Sequence, residues 1–228
     1  MNYIQRVNNV MKRSLNSLIL IISGILLILI SLGLILYNSI EDYQGNKVAS
    51  SMLNQLKSEM PPSTLESYPI GTDFPYVEQD LFEEYTPIQD KEPTLSLDGK
   101  TYLGILYIPS LNIELPILNE LNYDNLKLSP CKYSGMVSSG DLIIAGHNYK
   151  SHFGKINELN SGDTIIFTNT NGVIHNYEVI QTEIINGNDV TSMNSDSSSW
   201  DLTLFTCTLS GQSRITVRAI SVDNNILN

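Results

Sequence analysis

The chain is poor in cysteine, with only Cys131 and Cys207 among its 228 residues. Small secreted domains that depend on disulfides carry many more, so this scarcity excludes a disulfide-built scaffold. A single structural disulfide stays open as an alternative, although the region from residue 96 onwards is long enough to bury a core without a cross-link. We expect two free thiols, with Cys131 buried among apolar residues and Cys207 in a context that suits a nucleophile.

Basic residues are also scarce in this sequence. Lysine and arginine number 13, against 24 aspartate and glutamate residues, which gives a formal net charge of −11. Proteins that bind nucleic acid neutralise its phosphates with clustered lysine and arginine, and the sequence contains no such cluster. We therefore exclude nucleic acid as a partner, and we interpret the acidic surface as a feature that keeps the protein soluble beside anionic lipid headgroups.

Charge of either sign is absent from one long segment, residues 14–40. The centre of this segment, residues 18–36, consists almost entirely of isoleucine, leucine and glycine. About 20 apolar helical residues cross a bilayer core of about 30 Å, so the segment is long enough to span a membrane. The apolar region of a cleaved signal peptide is usually shorter, about 7–15 residues. We therefore predict an uncleaved transmembrane signal anchor.

The two flanks of this segment differ in charge. Three basic residues precede it and two acidic residues follow it at once: Arg6, Lys12, Arg13, Glu41 and Asp42. Because positively charged flanks stay on the cytoplasmic side, residues 1–13 are predicted to form a cytoplasmic tail. Everything after residue 40 is then predicted to lie outside the cell.

The exterior part divides into two regions by composition. Residues 41–95 begin with apolar residues at helical spacing, including Leu53 and Leu56, which predict a juxtamembrane helix that breaks at Pro61. A segment rich in proline and acidic residues follows and is predicted to form an extended stalk. Residues 96–228 change to short apolar stretches and are predicted to form the main folded domain.

Short strands separated by turn signals dominate residues 96–228. Seven stretches have strand patterns: 102–108, 113–118, 141–145, 164–168, 173–185, 202–206 and 214–222. Asn171-Gly172 is a strong hairpin signal between two of them, and Pro116 predicts an edge or a bulge. Only residues 123–128 and 155–159 favour helix. This pattern is typical of a mainly β domain, either a barrel or a sandwich.

Three residues at the ends of these strands carry groups suited to cysteine-based acyl transfer. Cys207 offers a thiol nucleophile, and His147 offers an imidazole that can protonate a leaving amine. Arginine is always charged and can stabilise an oxyanion with several N–H groups. Strand alternation puts Arg214 and Arg218 on one face, so spacing alone leaves both open as the oxyanion donor.

The motifs around these residues resemble those of a known family. Thr203-Leu204-Phe205-Thr206-Cys207 resembles the TLxTC signature of the sortases, the membrane-anchored cysteine transpeptidases of Gram-positive bacteria. The stretch from Arg214 to Ala219 is similar to their R-x-[VIL]-V-x-[AG] strand. The stretch from Ile143 to His147 resembles their catalytic-histidine strand. The resemblance covers residues 101–222.

This resemblance implies a fold and a set of roles. The fold would be a closed eight-stranded β-barrel with short helices, mainly β, preceded by the transmembrane helix and the stalk. The catalytic residues would be His147, Cys207 and Arg214. The Cys207 thiolate would cleave the Thr–Gly bond of an LPxTG-like sorting-signal peptide, His147 would protonate the departing amine, and Arg214 would hold the oxyanion.

The resemblance also implies partners. The acyl-enzyme would be resolved by an amine from peptidoglycan or from a pilin, and the N-terminal helix would hold the protein in the membrane. We expect no cofactor and no metal, since too few carboxylates cluster in the loop before Cys207 to bind calcium.

Two other functions stay open on the sequence. A cell-wall cysteine hydrolase would use the same pair of side chains, but such enzymes usually place the cysteine before the histidine, and here His147 comes first. A non-catalytic membrane-anchored assembly module would instead bury Cys207 as a core thiol. Only six residues separate Cys207 from Arg214, unlike in sortases with a long insertion there, so the subclass is left open.

Overall fold

The computed structural model describes residues 3–63, 92–189, 193 and 199–222, with side chains from residue 18 onwards. The chain divides into two compact units, Met1–Gln44 and Gly45–Asn228, and a long helix, α1 (Tyr3–Glu59), contributes to both. Most of the predicted stalk falls outside the described residues. The domain boundaries drawn from composition stay predictions.

The described part of the first unit is helical, with an uncharged apolar centre over residues 14–40. Its large apolar side chains between residues 18 and 36 each expose more than half of their surface. Within the described residues, this is the one helix long and apolar enough to cross a membrane, with a mean hydropathy of 3.1 in its apolar window. Such exposure suits a helix surrounded by an apolar medium, as predicted for an anchor.

The second unit begins with the last turns of α1, which pack against the rest of that unit. Leu53 and Leu56 are buried in a cluster with Tyr102 and Cys131. Polar contacts fix the same turns: Gln55 Nε2 donates to Asp98 Oδ2 at 2.8 Å, and Lys57 Nζ lies 2.6 Å from Glu114 Oε1. The predicted helix is confirmed, and its end at Glu59 precedes the predicted break at Pro61.

Nine strands and a second helix follow in the described part of this unit. They are β1 (Leu95–Leu97), β2 (Lys100–Ile108), β3 (Ile113–Leu118), α2 (Tyr123–Leu128), β4 (Cys131–Ser134), β5 (Leu142–Ala145), β6 (Thr164–Asn169), β7 (Ile174–Asn186), β8 (Leu202–Cys207) and β9 (Ser213–Ser221). Each of the seven predicted stretches coincides with a strand to within about two residues. The helix predicted at 155–159 is a 3-10 turn, Ile156–Glu158, and strands β1 and β4 are additional to the prediction.

The strands close into a barrel. They pair in the order β1-β2-β3-β4-β5-β8-β9-β7-β6, and β6 pairs back onto β2. Strands β2 to β9 therefore form a closed ring of eight, and β1 extends β2 as a hairpin. Closure leaves no unpaired barrel edge. The eight-stranded barrel implied by the resemblance is confirmed.

Alternation along the strands separates the barrel interior from its outer face. The inward positions of β5, β8 and β9 belong to one core cluster and are Leu142, Ile144, Leu202, Leu204, Val217 and Ala219. The residues between them point outwards, because successive side chains in a strand alternate between faces. Two of the residues predicted to be catalytic, Cys207 and Arg214, lie at outward positions of β8 and β9.

Pro116 has no N–H to donate to a neighbouring strand, and it lies where little strand pairing is needed. It lies opposite Ile105 in the antiparallel β2–β3 pair, while the other side of β3 pairs with β4 only at Leu118. The Ser129 hydroxyl donates to the Pro116 carbonyl oxygen on that side. The predicted edge-like position is confirmed.

Candidate active site

Strand register brings the three predicted residues to one edge of the barrel. In the parallel β5–β8 pair, Ala145 lies opposite Phe205, and the Gly146 N–H donates to the Phe205 carbonyl at 2.9 Å. His147 and Cys207 each follow two residues later, at the same ends of neighbouring strands. Antiparallel β9 then pairs Arg214 directly with Cys207. The predicted trio therefore occupies three adjacent strand ends.

Cys207 differs from every other residue of its strand in exposure. The rest of β8 is buried, and Cys207 is exposed at its end. The strand return that follows is tight, with the Thr208 N–H donating to the Ser213 carbonyl at 2.9 Å and Gly211 at a φ of +72°. Glycine adopts this left-handed conformation without the cost that a Cβ brings. The thiol is thus placed at an open strand end beside a tight turn.

Cys131 has the opposite environment. It is fully buried, it is free like Cys207, and its Sγ lies 3.4 Å from the Ser129 carbonyl oxygen. Burial raises the pKa of the Cys131 thiol to about 12, so almost no thiolate forms near neutral pH. The expectation of a buried Cys131 is confirmed, and only Cys207 suits nucleophilic attack.

Arg214 is half-buried and held by the backbone of the adjoining turns. Its Nη1 donates to the carbonyl oxygens of Gly211 at 3.0 Å and Ser213 at 3.2 Å. Gly187, just after β7, lies against the guanidinium, since a Cβ added there would approach Arg214 Nη1 to 2.9 Å. A guanidinium carries five N–H donors, so two bonds through one nitrogen leave donor capacity for a ligand.

Arg218 is enclosed, although it shares the strand face of Arg214. Only 1% of its surface is exposed. Its guanidinium contacts Glu183 Oε1 at 3.1 Å, the Met193 carbonyl at 3.1 Å, Thr203 Oγ1 at 2.9 Å and the Trp200 ring, whose centroid is 4.5 Å away. This network makes Arg218 a structural residue, and it explains Trp200 as a packing partner.

The sequence of this barrel also matches a known protein family. Residues 106–222, just over half of the chain, match the family model described as the sortase domain.

The chain belongs to the sortase family.

Two curated relatives lie in the same family. Sortase D of Bacillus subtilis (strain 168) is 29% identical over 107 residues, which cover 46% of this chain and 53% of that protein. Sortase A of Bacillus anthracis is 34% identical over 82 residues, 33% of this chain and 39% of that protein. The chain thus spans about half or less of the length of these relatives.

Solved sortase structures are similar to this chain as well. Sortase C-3 from Streptococcus pneumoniae is 25% identical, with a TM-score of 0.49 over 80% of this chain and 84% of that one. Sortase C1 from Streptococcus agalactiae is 26% identical, with a TM-score of 0.48 over 56% of this chain and 71% of that one.

His147 of this sortase lies in a compact bend after β5. Its carbonyl oxygen accepts the Phe153 N–H at 3.1 Å, and its ring stacks on Tyr149, with centroids 4.2 Å apart and planes 3° from parallel. No motif in the sequence marks Tyr149 as part of the site. The only signal available was an aromatic residue two positions after the histidine, which does not by itself predict a stack.

The other two histidines are less accessible than a catalytic role would require. His152 is fully buried, and its ring packs against Tyr149 with centroids 5.4 Å apart. It therefore does not line an open groove. His175 is half-buried, and its ring lies 6.4 Å from that of Phe167, because it sits on β7 opposite Phe167 of β6.

An outer apolar layer covers the barrel wall beside Cys207. It consists of Ile143, Ala145, Met193 and Phe205, with Leu126 and Ile185 packed against it. The Tyr133 ring meets Phe205 edge-on with centroids 5.3 Å apart. These side chains alternate with the inward-facing core residues, so strand pairing aligns the layer with the thiol.

A cavity of about 260 Å³ lies at the other ends of β5 and β8. Its lining includes Ser134, Asp141, Trp200, Asp201 and Thr203, and it includes none of the three predicted catalytic residues. Within the described residues, no group of three or more histidine, cysteine, aspartate or glutamate side chains could hold a metal ion.

Proposed function

We propose that this sortase is a membrane-anchored cysteine transpeptidase that cleaves an LPxTG-like C-terminal sorting signal and transfers the protein to an amine. The observation that carries the proposal is the direct pairing of exposed Cys207 with Arg214, next to the parallel strand end that leads to His147. Membership of the sortase family supports the same chemistry.

The first half-reaction forms an acyl-enzyme. The Cys207 thiolate attacks the threonine carbonyl carbon of the signal, and the carbonyl oxygen becomes an oxyanion stabilised by Arg214. As the tetrahedral intermediate collapses, the carbon–nitrogen bond breaks and the His147 imidazolium gives its proton to the departing glycine amine. The products are a thioester on Cys207 and a free amine.

The second half-reaction reverses these roles. An amine from a peptidoglycan stem or cross-bridge, or from a pilin lysine, attacks the thioester carbonyl. His147 accepts a proton from the attacking nitrogen, and the Cys207 thiolate leaves as the new amide forms. The thiolate and imidazolium are both restored, so the cycle needs no cofactor.

Arg214 is the oxyanion donor in this mechanism, because it can reach the carbonyl bonded to Cys207 and Arg218 cannot. Its Nη1 bonds only anchor it to the turn beside Cys207. Arg218 lies four residues further along β9, about 13 Å away at the usual rise of a strand, and its guanidinium is committed to buried partners. It cannot reach the carbonyl bonded to Cys207.

The outer apolar layer supplies a binding surface for the signal. Phe205 and Ala145 lie on the two strands that end in Cys207 and His147, so an extended peptide with its threonine at the thiol would pass over them. An apolar residue of the signal would bury its side chain there, while the backbone stays near Arg214.

The anchor and its orientation complete the proposal. The apolar part of α1 spans the membrane, the basic flank with Arg6 and Arg13 stays in the cytoplasm, and the barrel faces the cell exterior. Secreted proteins that carry a sorting signal and cell-wall amines are both available on that side.

A cleavage assay with a defined acceptor tests this function. The full chain in detergent is incubated with a fluorogenic LPxTG-type peptide, with and without hydroxylamine as the amine, and products are identified by mass spectrometry. We expect cleavage and conversion of the product to the hydroxamate, both lost in His147→Ala by at least about 100-fold. A free acid as the sole product despite excess amine would indicate a hydrolase, and no cleavage at all would indicate a non-catalytic module.

A further inference from the structure

The ring of Tyr149 lies parallel to the His147 imidazole. The two rings stack with centroids 4.2 Å apart and planes 3° from parallel. The Tyr149 backbone is held in this bend, because its carbonyl oxygen accepts the N–H groups of His152 at 3.0 Å and Gly154 at 2.8 Å. A rigid aromatic face restricts rotation of the imidazole and attracts its protonated form.

Helix α1 contacts Tyr149 through Gly45. This glycine is buried, and a Cβ added to it would lie 3.2 Å from Tyr149 Cδ2 and 3.4 Å from Cε2. The helix backbone therefore lies directly against the tyrosine ring. Glycine weakens a helix interior more than any residue except proline, so its presence here fits a requirement for close approach.

The helix that carries Gly45 is fixed to the barrel further along. Ala49, Leu53 and Leu56 are buried on one side of it, and Gln55 bonds Asp98 at 2.8 Å. Gly45 cannot withdraw from Tyr149 without loss of these contacts. A continuous set of contacts thus runs from the juxtamembrane helix through Tyr149 to His147.

We propose that Tyr149 is a positioning residue for His147, and that Gly45 of the juxtamembrane helix holds Tyr149 in place. The inference rests on the proposed function, in which His147 transfers the proton. In this proposal, the turn of α1 that carries Gly45 helps to position the active-site histidine. Tyr149 contacts the imidazole ring and takes no chemical step in the proposed mechanism, so its removal is expected to change kcat through the orientation of His147.

The kinetic test uses the full chain in detergent and a fluorogenic LPxTG-type peptide. Tyr149→Leu keeps apolar bulk but removes the aromatic plane, and we expect kcat to fall about two- to ten-fold with KM unchanged, the range of an aromatic pair. Tyr149→Phe is expected to restore most of that loss. Melting temperatures measured by circular dichroism identify any variant that fails to fold.

Gly45→Leu provides a second, independent variant with a matched control. Its side chain would displace the tyrosine ring, so we expect a fall in kcat similar to that of Tyr149→Leu. Asn46→Leu, on the neighbouring exposed position, is expected to leave kcat unchanged. In the Tyr149→Leu background, Gly45→Leu should add no further loss, because both changes act on the same contact.

Nuclear magnetic resonance gives a readout that does not depend on activity. The ring current of Tyr149 shifts the Hε1 resonance of His147, which the His147→Ala spectrum identifies among the three histidines. We expect Tyr149→Leu and Gly45→Leu to move this resonance, and Asn46→Leu to leave it in place.

The outcomes separate this inference from the proposed function. If Tyr149→Leu and Gly45→Leu keep wild-type kcat, or if the His147 resonance does not move, the positioning role is wrong even where His147→Ala is inactive. If His147→Ala turns over at the wild-type rate, the proposed function itself fails.

Discussion

The two ends of the β8–β9 ribbon carry similar residues in opposite environments. At one end, exposed Cys207 faces half-buried Arg214 beside an open turn. At the other end, Thr203 faces Arg218, and both are buried and bonded to each other at 2.9 Å. Both arginines lie on the same strand face, so their side chains begin from equivalent positions. Burial and the partners that come with it, rather than residue type, distinguish the end proposed to be reactive from the structural end.

Removal of the thiol at the open end should have the largest effect. We expect Cys207→Ala to abolish peptide cleavage and to leave the circular dichroism spectrum unchanged, because its side chain is exposed. Cys131→Ala is the matched control, since it removes the buried thiol and should retain cleavage. Cleavage retained by Cys207→Ala would show that the open end is not the reactive one.

Removal of Arg214, the arginine at the open end, should have the second-largest effect on turnover. Arg214→Ala is expected to slow turnover about 100- to 1000-fold, the usual effect of the loss of one oxyanion donor. Arg214→Lys should recover only part of this rate, because a point charge does not reproduce the planar fork of donors. Steady-state kinetics at saturating peptide measure both, and full activity in Arg214→Ala would remove it from the mechanism.

A side chain added at Gly187, which lies against Arg214, should reduce turnover by less than the loss of Arg214. A Cβ on Gly187 would lie 2.7 Å from the Gln212 carbonyl oxygen and 2.9 Å from Arg214 Nη1. We expect Gly187→Ala to reduce kcat about 10-fold by shifting the guanidinium. Asn188→Ala, at the next and exposed position, should change kcat little. Equal rates for Gly187→Ala and wild type would mean that turnover does not depend on this position of the Arg214 guanidinium.

The arginine at the structural end should affect stability more than rate. Arg218→Ala removes a buried side chain from Glu183, Thr203 and Trp200, so we expect a clearly lower melting temperature. At a temperature where the variant is folded, kcat should stay within a few-fold of wild type. A loss of kcat as large as that of Arg214→Ala, with no change in melting temperature, would reverse the roles of the two ends.

Much of the barrel could be predicted because its strands are long enough to show alternation. The predicted stretch 113–118 has the same bounds as β3, and 202–206 ends one residue before β8 does. Strands β1 and β4 were missed because three or four residues do not establish a period, and neither strand is a continuous apolar run like the equally short β5. Short strands of this kind depend on their partners rather than on their own pattern.

The candidate site could be predicted only in part from the sequence. Motifs around Cys207, His147 and Arg214 are contiguous in sequence, so they could be recognised without a structure. The residues that support them belong to other segments: Gly45 lies on α1, far from Tyr149 in sequence, and Gly187 follows β7 rather than β9. Their contacts arise from the docking of α1 and from the β7–β9 pairing, which only the fold defines.

A covalent intermediate at Cys207 is the central step of the proposed mechanism. Intact-mass and peptide-mapping mass spectrometry of the full chain, quenched in acid during turnover of an LPxTG-type peptide, would detect it directly. We predict an adduct with the mass of the signal up to its threonine, on the peptide that contains Cys207, absent from Cys131 and released by hydroxylamine. Rapid cleavage of the signal with no adduct on Cys207, or with the adduct on Cys131, would contradict the account.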